Sequence, residues 1–464
     1  MPLSVHRTYV KNVDIGVFPT ARRAFQVTRC NQCENPPCVT ACPTSAMFQR
    51  KDGIVDFDKD WCIGCKACIA ACPYDAIFIN PEDHTAEKCN FCAHRLEVGL
   101  EPACVVVCPT QAILVGDMND PASKVAGIIN REVVAVRRPE KDTRPKLFYK
   151  GAHAATLDPL AARRPKGGIF MWSEQLGRSE GKITAGVEQR GSSSAAAVLA
   201  YDIPHNRPWD WRVSAYTWTK GIAAGVYLVA ALSEVSSDSL LWEFLVPFIC
   251  AFFLALTGAL LVWDLKQPTR FHYLFLRPQW KSWLVRGAAI ITGYGAILGL
   301  HLVAGFLGYV NLGPSLRYAG VPLALLTAVY TAYLFAQAKA RDLWQNPLLP
   351  AQFVVQAVVA GASILAILES SREQLGLIVA GATLVHLLLI AGDVTLTHAT
   401  AHARMAAHEI THGAFRPFFL AAIPLSLIGL ATPWIGPLGA LCALFGLLAW
   451  EHAHVQAGQS VPLA

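Results

Sequence analysis

Residues 62–73 read "CIGCKACIAACP", four cysteines spaced x2, x2 and x3 with proline directly after the last. This spacing suits a [4Fe–4S] cubane. Closely spaced thiolates in one tight loop take three corners, and the cysteine before proline points away, toward the other cluster in two-cluster ferredoxins. Two more quartets flank the run. Upstream lies Cys30-x2-Cys33-x4-Cys38-x3-Cys42-Pro43, and downstream Cys89-x2-Cys92-x11-Cys104-x3-Cys108-Pro109. Structural zinc is the competing reading, because zinc sites pair two CxxC units a dozen or more residues apart. The first two quartets are too compressed for that, and all three close on Cys-Pro. The third, taken alone, fits either metal.

Around these motifs the composition splits the chain. Hydrophobic residues make up 53% and charged residues 16%, a balance typical of membrane proteins. Residues 1–150 are polar and hold twelve of the 14 cysteines. Residues 151–210, with "RRPKGG" and "GRSEGK", lack an apolar period and read as a flexible linker. From 211 to 464 the chain is a series of long apolar runs. Arg22-Arg23 is followed by no apolar stretch, and no export signal is expected. Dense thiols in that setting predict metal ligands in a reducing compartment rather than disulfides. The net charge of +6 comes with no basic, aromatic-bearing patch, so no nucleic-acid partner is expected. No phosphate-cradling glycine loop and no pterin domain appears, so substrate reduction is expected on another subunit.

Eight apolar segments, near 213–232, 240–263, 283–307, 319–337, 350–369, 375–396, 415–431 and 434–450, are long enough or nearly so to cross a bilayer. Loops on the side where the first segment begins carry Lys266, Arg270, Arg277, Lys281, Lys339, Arg341, Arg404 and Arg416. The opposite loops offer Arg317 and Arg372 against several acids. Positive-inside bias then predicts a multi-pass protein of a bacterial inner membrane with residues 1–150 in the cytoplasm.

The stretch from about residue 4 to 120 resembles the four-cluster iron–sulfur subunits of the dimethyl-sulfoxide reductase and polysulfide reductase families. The similarity lies in "HRTYVKNV", "CNQCENPPCVTACP", "DGIVDFDKDWCIGCKACIAACPYDA" and "CNFCAHRLEVGLEPACVVVCPTQA". It implies an α+β ferredoxin-like domain. One cluster would take Cys30, Cys33, Cys38 and Cys72, and its neighbour Cys62, Cys65, Cys68 and Cys42. Family members carry another CxxCxxCxxxC run upstream of the "HRTYVK" stretch, and it pairs with the third quartet. This sequence begins at Met1, a few residues before "HRTYVK". Cys89, Cys92 and Cys104 would then lack a fourth partner, and Cys108 would face a cluster with no other ligand. Two readings stay open: a start assigned roughly thirty residues late by the family pattern, or loss of one cluster with adaptation of the third quartet. Two clusters are expected, and a third and fourth depend on that choice.

The apolar half is similar to the NrfD/polysulfide-reductase membrane subunits, in "WDWRVSAYTWTKGIAAGVYLVAAL" and in the Asp-Leu-x-x-Pro-x-Arg of "LLVWDLKQPTRFHYLFLRP". That resemblance implies a quinone-interacting anchor of eight helices in two four-helix bundles, without haem. His301 and His386 sit at different depths, which agrees with the absence of axial haem ligation. Polar residues inside spans mark function by default. Lys220, Asp264, Arg270, Tyr330 and Tyr333 are therefore expected to line a quinone pocket. His386, Asp393 and His398 are expected to form a proton relay. Snorkelling of Lys220, an Asp264–Arg270 helix-end pair, interfacial belt positions for the tyrosines and a packing role for His386 are the competing readings. The expected function is electron transfer and membrane anchoring, between a molybdopterin catalytic subunit and the quinone pool. A core unit similar to alternative complex III, with c-type cytochrome partners and possible coupling to proton movement, is the alternative.

Overall fold

The computed structural model describes residues 2–163, 197–233, 240–309 and 312–463. Two compact units form, Met1–Asn206 with Pro462–Ala464, and Arg207–Val461.

In the first unit, β1 (Thr8–Ile15) and β2 (Arg22–Arg29) make an antiparallel hairpin in the register Thr8↔Arg29 to Ile15↔Arg22. Tyr9, Lys11, Val13 and Ile15 alternate inward on β1, the period of a strand with one covered face. Each of the first two quartets then repeats one short pattern. Helix α1 (Pro37–Ala41) is followed by β3 (Met47–Gln49) and β4 (Val55–Phe57), paired antiparallel. Helix α2 (Ala67–Ala71) is followed by β5 (Ile77–Ile79) and β6 (Ala86–Lys88), paired likewise. Pro37 opens α1 because its fixed φ suits the first helical position, where no N–H partner is needed. The two helices pack on each other. Met47, Val55, Ile69, Tyr74 and Ile77 close around them with the cysteines. The third quartet carries α3 (Ala93–Leu96) and α4 (Ala103–Val106).

The three quartets share a backbone template. The residue before the second cysteine has positive φ each time: Gln32 (47°), Gly64 (67°) and Phe91 (59°). So has the third residue after the last cysteine: Ser45 (56°), Asp75 (50°) and Gln111 (50°). These left-handed residues reverse the chain locally, and only Gly64 adopts that conformation without steric cost.

The stretch 151–210, expected as a linker, is partly built into this unit. Helix α5 (Ala154–Leu157) packs on β1, and β7 (Ala197–Tyr201) adds to the free edge of β1. Ala197 and Leu199 point into its small core, which is why this apolar pentapeptide does not remain loose. Residues 164–196, which hold most of the expected linker, lie outside the described residues.

The second unit is helical. Its longer helices are α6 (Trp211–Leu232), α7 (Val246–Asp264), α8 (Trp283–Phe306), α9 (Leu312–Gln337), α10 (Leu349–Leu368), α11 (Glu373–Thr395), α12 (Ala401–Thr411), α13 (Arg416–Gly429) and α14 (Pro437–Gly458). One π turn, Leu241–Leu245, leads into α7. Among the described residues six helices are long and apolar enough to cross a membrane, or seven if α12 and α13, bent by 70°, make one span. The eight expected spans are thus not reproduced by this measure, for two physical reasons. Helix α6 has a span's length but carries Ser214, Thr217, Thr219 and Lys220, all buried against other helices. Helix α13, expected at 415–431, has only 14 residues, about 21 Å at 1.5 Å per residue, against a hydrocarbon core of about 30 Å.

Helix α6 is the axis of this unit and packs on α7, α9, α10 and α14. At its crossing with α10 the backbones touch. A Cβ on Gly225 would stand 1.7 Å from the Ala357 carbonyl oxygen, and one on Gly361 would stand 1.9 Å from the Gly225 carbonyl carbon. Small residues of this kind let membrane helices approach closely.

Candidate functional site

Two cavities in the first unit are lined by cysteines from both of the first quartets. Cys30, Cys33, Cys38 and Cys72 share one, with Val55, Tyr74 and Ile77. Cys42, Cys62, Cys65 and Cys68 share the other, with Met47, Phe57 and Ala86. Each quartet's last cysteine thus crosses to its neighbour's cavity. The donor set fits a sulfur-rich cluster in each. Met47 N–H donates to Cys42 Sγ and Ala86 N–H to Cys62 Sγ, both at 3.3 Å. Burial pushes the Cys33 thiol up to about 12 and holds Cys38 and Cys68 well above the usual range. A thiolate at such a buried position is costly unless a positive centre compensates it. Among the described residues no cysteine is in a disulfide.

The third quartet is more open: Cys89, Cys92, Cys104 and Cys108 are all half-buried. Arg29 Nη1 donates to Cys104 Sγ at 3.0 Å. The peptide N–H groups of Ile113 and Ala112, with the Thr110 hydroxyl, lower the Cys108 thiol. Charge-assisted and amide donors aimed at sulfur suit thiolate ligands. Its backbone repeats the left-handed positions of the other two quartets, at Phe91 and Gln111.

In the second unit Lys220 is wholly enclosed. Its Nζ donates to the Ala328 carbonyl oxygen and to Thr331 Oγ1, both at 2.8 Å. It lies 4.5 Å from the Phe353 ring centroid and 5.0 Å from that of Tyr330. One turn earlier on α6, Thr217 Oγ1 donates to Glu451 Oε2 at 3.0 Å. An acid and a base therefore occupy one buried layer. Tyr216, 2% exposed, joins it. The structure thus brings together Lys220 and Tyr330 of the expected pocket. Asp264 is buried at the end of α7, and Arg270 closes the following 3-10 turn, half-exposed. Tyr333 stands apart: it is 41% exposed and stacks on Trp283 at 4.5 Å.

Asp393 accepts from Asn346 Nδ2 at 2.9 Å and from Gln352 Nε2 at 2.5 Å. His398 Nε2 lies 2.9 Å from the Asp393 carbonyl oxygen. His386 is buried, neither ring nitrogen is bonded among the described residues, and its ring edge meets Trp450. His454 packs on the same indole. Glu451 and His454 escaped the sequence reading because the last span was expected to stop at 450. The continuation "EHAHVQAG" holds no proline and no glycine before Gly458, and that was the available signal for a longer helix.

The profile of the 4Fe-4S dicluster domain matches residues 21–118, and that of polysulphide reductase, NrfD, matches residues 202–436. A tetrathionate reductase subunit of Salmonella typhimurium is 45% identical over 164 residues, 32% of this chain and 66% of its own. A polysulfide reductase chain of Wolinella succinogenes is 44% identical over 151 residues, 32% of this chain and 79% of its own. The arsenate respiratory reductase iron-sulfur subunit of a Shewanella species is 35% identical over 182 residues, 29% of this chain and 78% of its own. The first of these relatives is matched over slightly less than two thirds of its length. The protein therefore belongs to the polysulphide reductase NrfD family, and it fuses that membrane subunit to a ferredoxin-type iron–sulfur subunit akin to the Wolinella polysulfide reductase relative.

Proposed function

We propose that this chain carries electrons between a molybdopterin catalytic subunit and the membrane quinone pool. Iron–sulfur electron transfer and membrane anchoring within a reductase complex follow from its two families. The finer reading adds the quinone, the pterin and the residues. We assign Cys30, Cys33, Cys38 and Cys72 to one [4Fe–4S] cluster and Cys42, Cys62, Cys65 and Cys68 to a second. Cys89, Cys92, Cys104 and Cys108 serve a further centre. When bound, such clusters supply one-electron carriers whose potentials follow burial and hydrogen bonds to sulfur.

One observation carries the quinone reading: a fully enclosed lysine, bonded to Ala328 and Thr331, in the same layer as Glu451 and beside Tyr330. Quinone reduction takes two electrons and two protons. Lys220 and Tyr330 are donors that can hold a quinone oxygen and release a proton to it. Asp264 and Arg270, at the exit of α7, complete the proposed pocket at its rim. Asp393, fixed by Asn346 and Gln352, with His386 and His398, forms the proposed proton route. We further propose eight crossings in two four-helix bundles, with α6 and the bent pair counted as spans. The basic loops after α7, α9 and α11 support placement of the iron–sulfur unit on the cytoplasmic side of a bacterial inner membrane.

Replacement of Lys220 by Met tests the reading. We expect quinone-linked turnover to fall by about 10²–10⁴-fold, the usual contribution of a positioned proton donor. Iron and labile sulfide per chain stay at wild-type values. Wild-type turnover would remove Lys220 from the site.

A further inference from the structure

Lys88 ends β6 directly before Cys89, and none of its side chain is exposed. Its Nζ donates to the Val55 carbonyl oxygen and, at 3.2 Å, to that of Cys89. Val55 lines the cavity shared by Cys30, Cys33, Cys38 and Cys72. Cys89 opens the third quartet. The ammonium thus lies between two thiolate sets and bonds to the backbone of each. Gln32 braces the same seam: its Nε2 donates to the Cys89 carbonyl oxygen at 2.9 Å, and its Oε1 accepts from Val55 N–H at 2.8 Å. The strand neighbour Glu87 serves other cations, Arg7 at 2.6 Å and Lys59. A buried ammonium bonded to carbonyl oxygens rather than to a carboxylate is costly unless other negative charge compensates it. Four thiolates on each iron–sulfur core supply that charge.

We propose that Lys88 is a potential-setting residue: its buried ammonium, held between the Cys30/Cys33/Cys38/Cys72 cavity and Cys89, favours the reduced form of the adjoining cluster. Gaining one electron makes a cluster more negative, so a fixed cation beside it eases reduction. The inference needs only the clusters and stands apart from the quinone and pterin reading. Lys88 touches neither substrate nor reacting atoms, and its effect is electrostatic.

The test is an anaerobic potentiometric titration of the full-length chain in detergent, with dithionite as the one-electron reductant and low-temperature EPR as the readout. In Lys88→Met and Lys88→Gln, one cluster's reduction equilibrium should fall about tenfold, a shift of about 59 mV for a one-electron couple. Lys88→Arg, which keeps the charge, should titrate as wild type. Neutral variants that hold full iron and sulfide yet titrate as wild type overturn the proposal. If both neutral variants lose iron, Lys88→Arg decides. Wild-type potentials support it, and a fall as large as that expected for charge loss overturns it.

Discussion

Lys220 illustrates what a single residue can reveal before folding and what it cannot. An intramembrane lysine reads as functional from sequence alone. Only packing shows that it does not snorkel to the interface, because its Nζ is committed to Ala328 and Thr331 deep among α6, α9 and α10. Tyr330 and Tyr333 look equivalent in sequence, and packing separates them into an enclosed and an exposed ring. Glu451 was illegible because its helix outlasts its apolar run. Glu451→Gln is expected to slow quinone-linked turnover by about tenfold or more with cluster content intact, measured by steady-state assay and iron analysis; unchanged turnover would remove it from the site. A second residue gives a pH prediction. His205 lies between Asp75 and Asp202. Burial alone would lower its pKa, but the two carboxylates outweigh burial and raise it to about 10. The folded value exceeds the ordinary one of about 6.5, so this contribution is complete below about pH 6.5 and is lost as pH rises through about 10. The Tm of the solubilised wild type should therefore fall more between about pH 7 and 10 than that of His205→Gln. Parallel slopes would contradict the ion-paired histidine.

At the scale of elements, cysteine spacing was the strongest signal, because ligand geometry forces local structure. Cys42 and Cys72 each line the cavity of the other quartet, and the left-handed turns recur in the third quartet. Helix existence was legible from apolar runs, but helix ends were less so. The segment at 415–431 reads as a span, yet α13 runs only from Arg416 to Gly429 and a separate turn, Thr432–Ile435, follows it. The α6–α10 crossing was invisible, since a glycine's role depends on what lies opposite it. Gly225→Val should prevent assembly of the helical unit, at a cost beyond the 1–3 kcal/mol or so of ordinary overpacking, seen as loss of the monodisperse peak on size-exclusion. Gly258→Ala, with open space at its Cβ, should elute as wild type.

For the whole molecule, a polar cysteine-rich half and an apolar half were evident in composition, and the chain folds as two compact units, Met1–Asn206 with Pro462–Ala464 and Arg207–Val461. The inclusion of 197–201 in the first unit was not, because β7 pairs with a strand nearly two hundred residues away and a five-residue run gives no sign of such a partner. Joining an iron–sulfur subunit and its membrane anchor in one polypeptide fixes their stoichiometry at one to one. On the proposed function, native membranes solubilised in mild detergent should yield this chain with a separate pterin-bearing catalytic subunit, identified by mass spectrometry and by molybdenum or tungsten content; a complex without one would contradict that partner. The central claim of the proposed function is that the clusters of the cysteine-rich unit exchange electrons with quinone at a site that depends on Lys220. The most direct measurement is rapid mixing of dithionite-reduced, lipid-reconstituted protein with a short-chain quinone, following cluster reoxidation by absorbance and freeze-quench EPR in wild type and Lys220→Met. The account predicts reoxidation about a hundredfold or more slower in the variant at equal cluster content. Equal rates in the two proteins would contradict it.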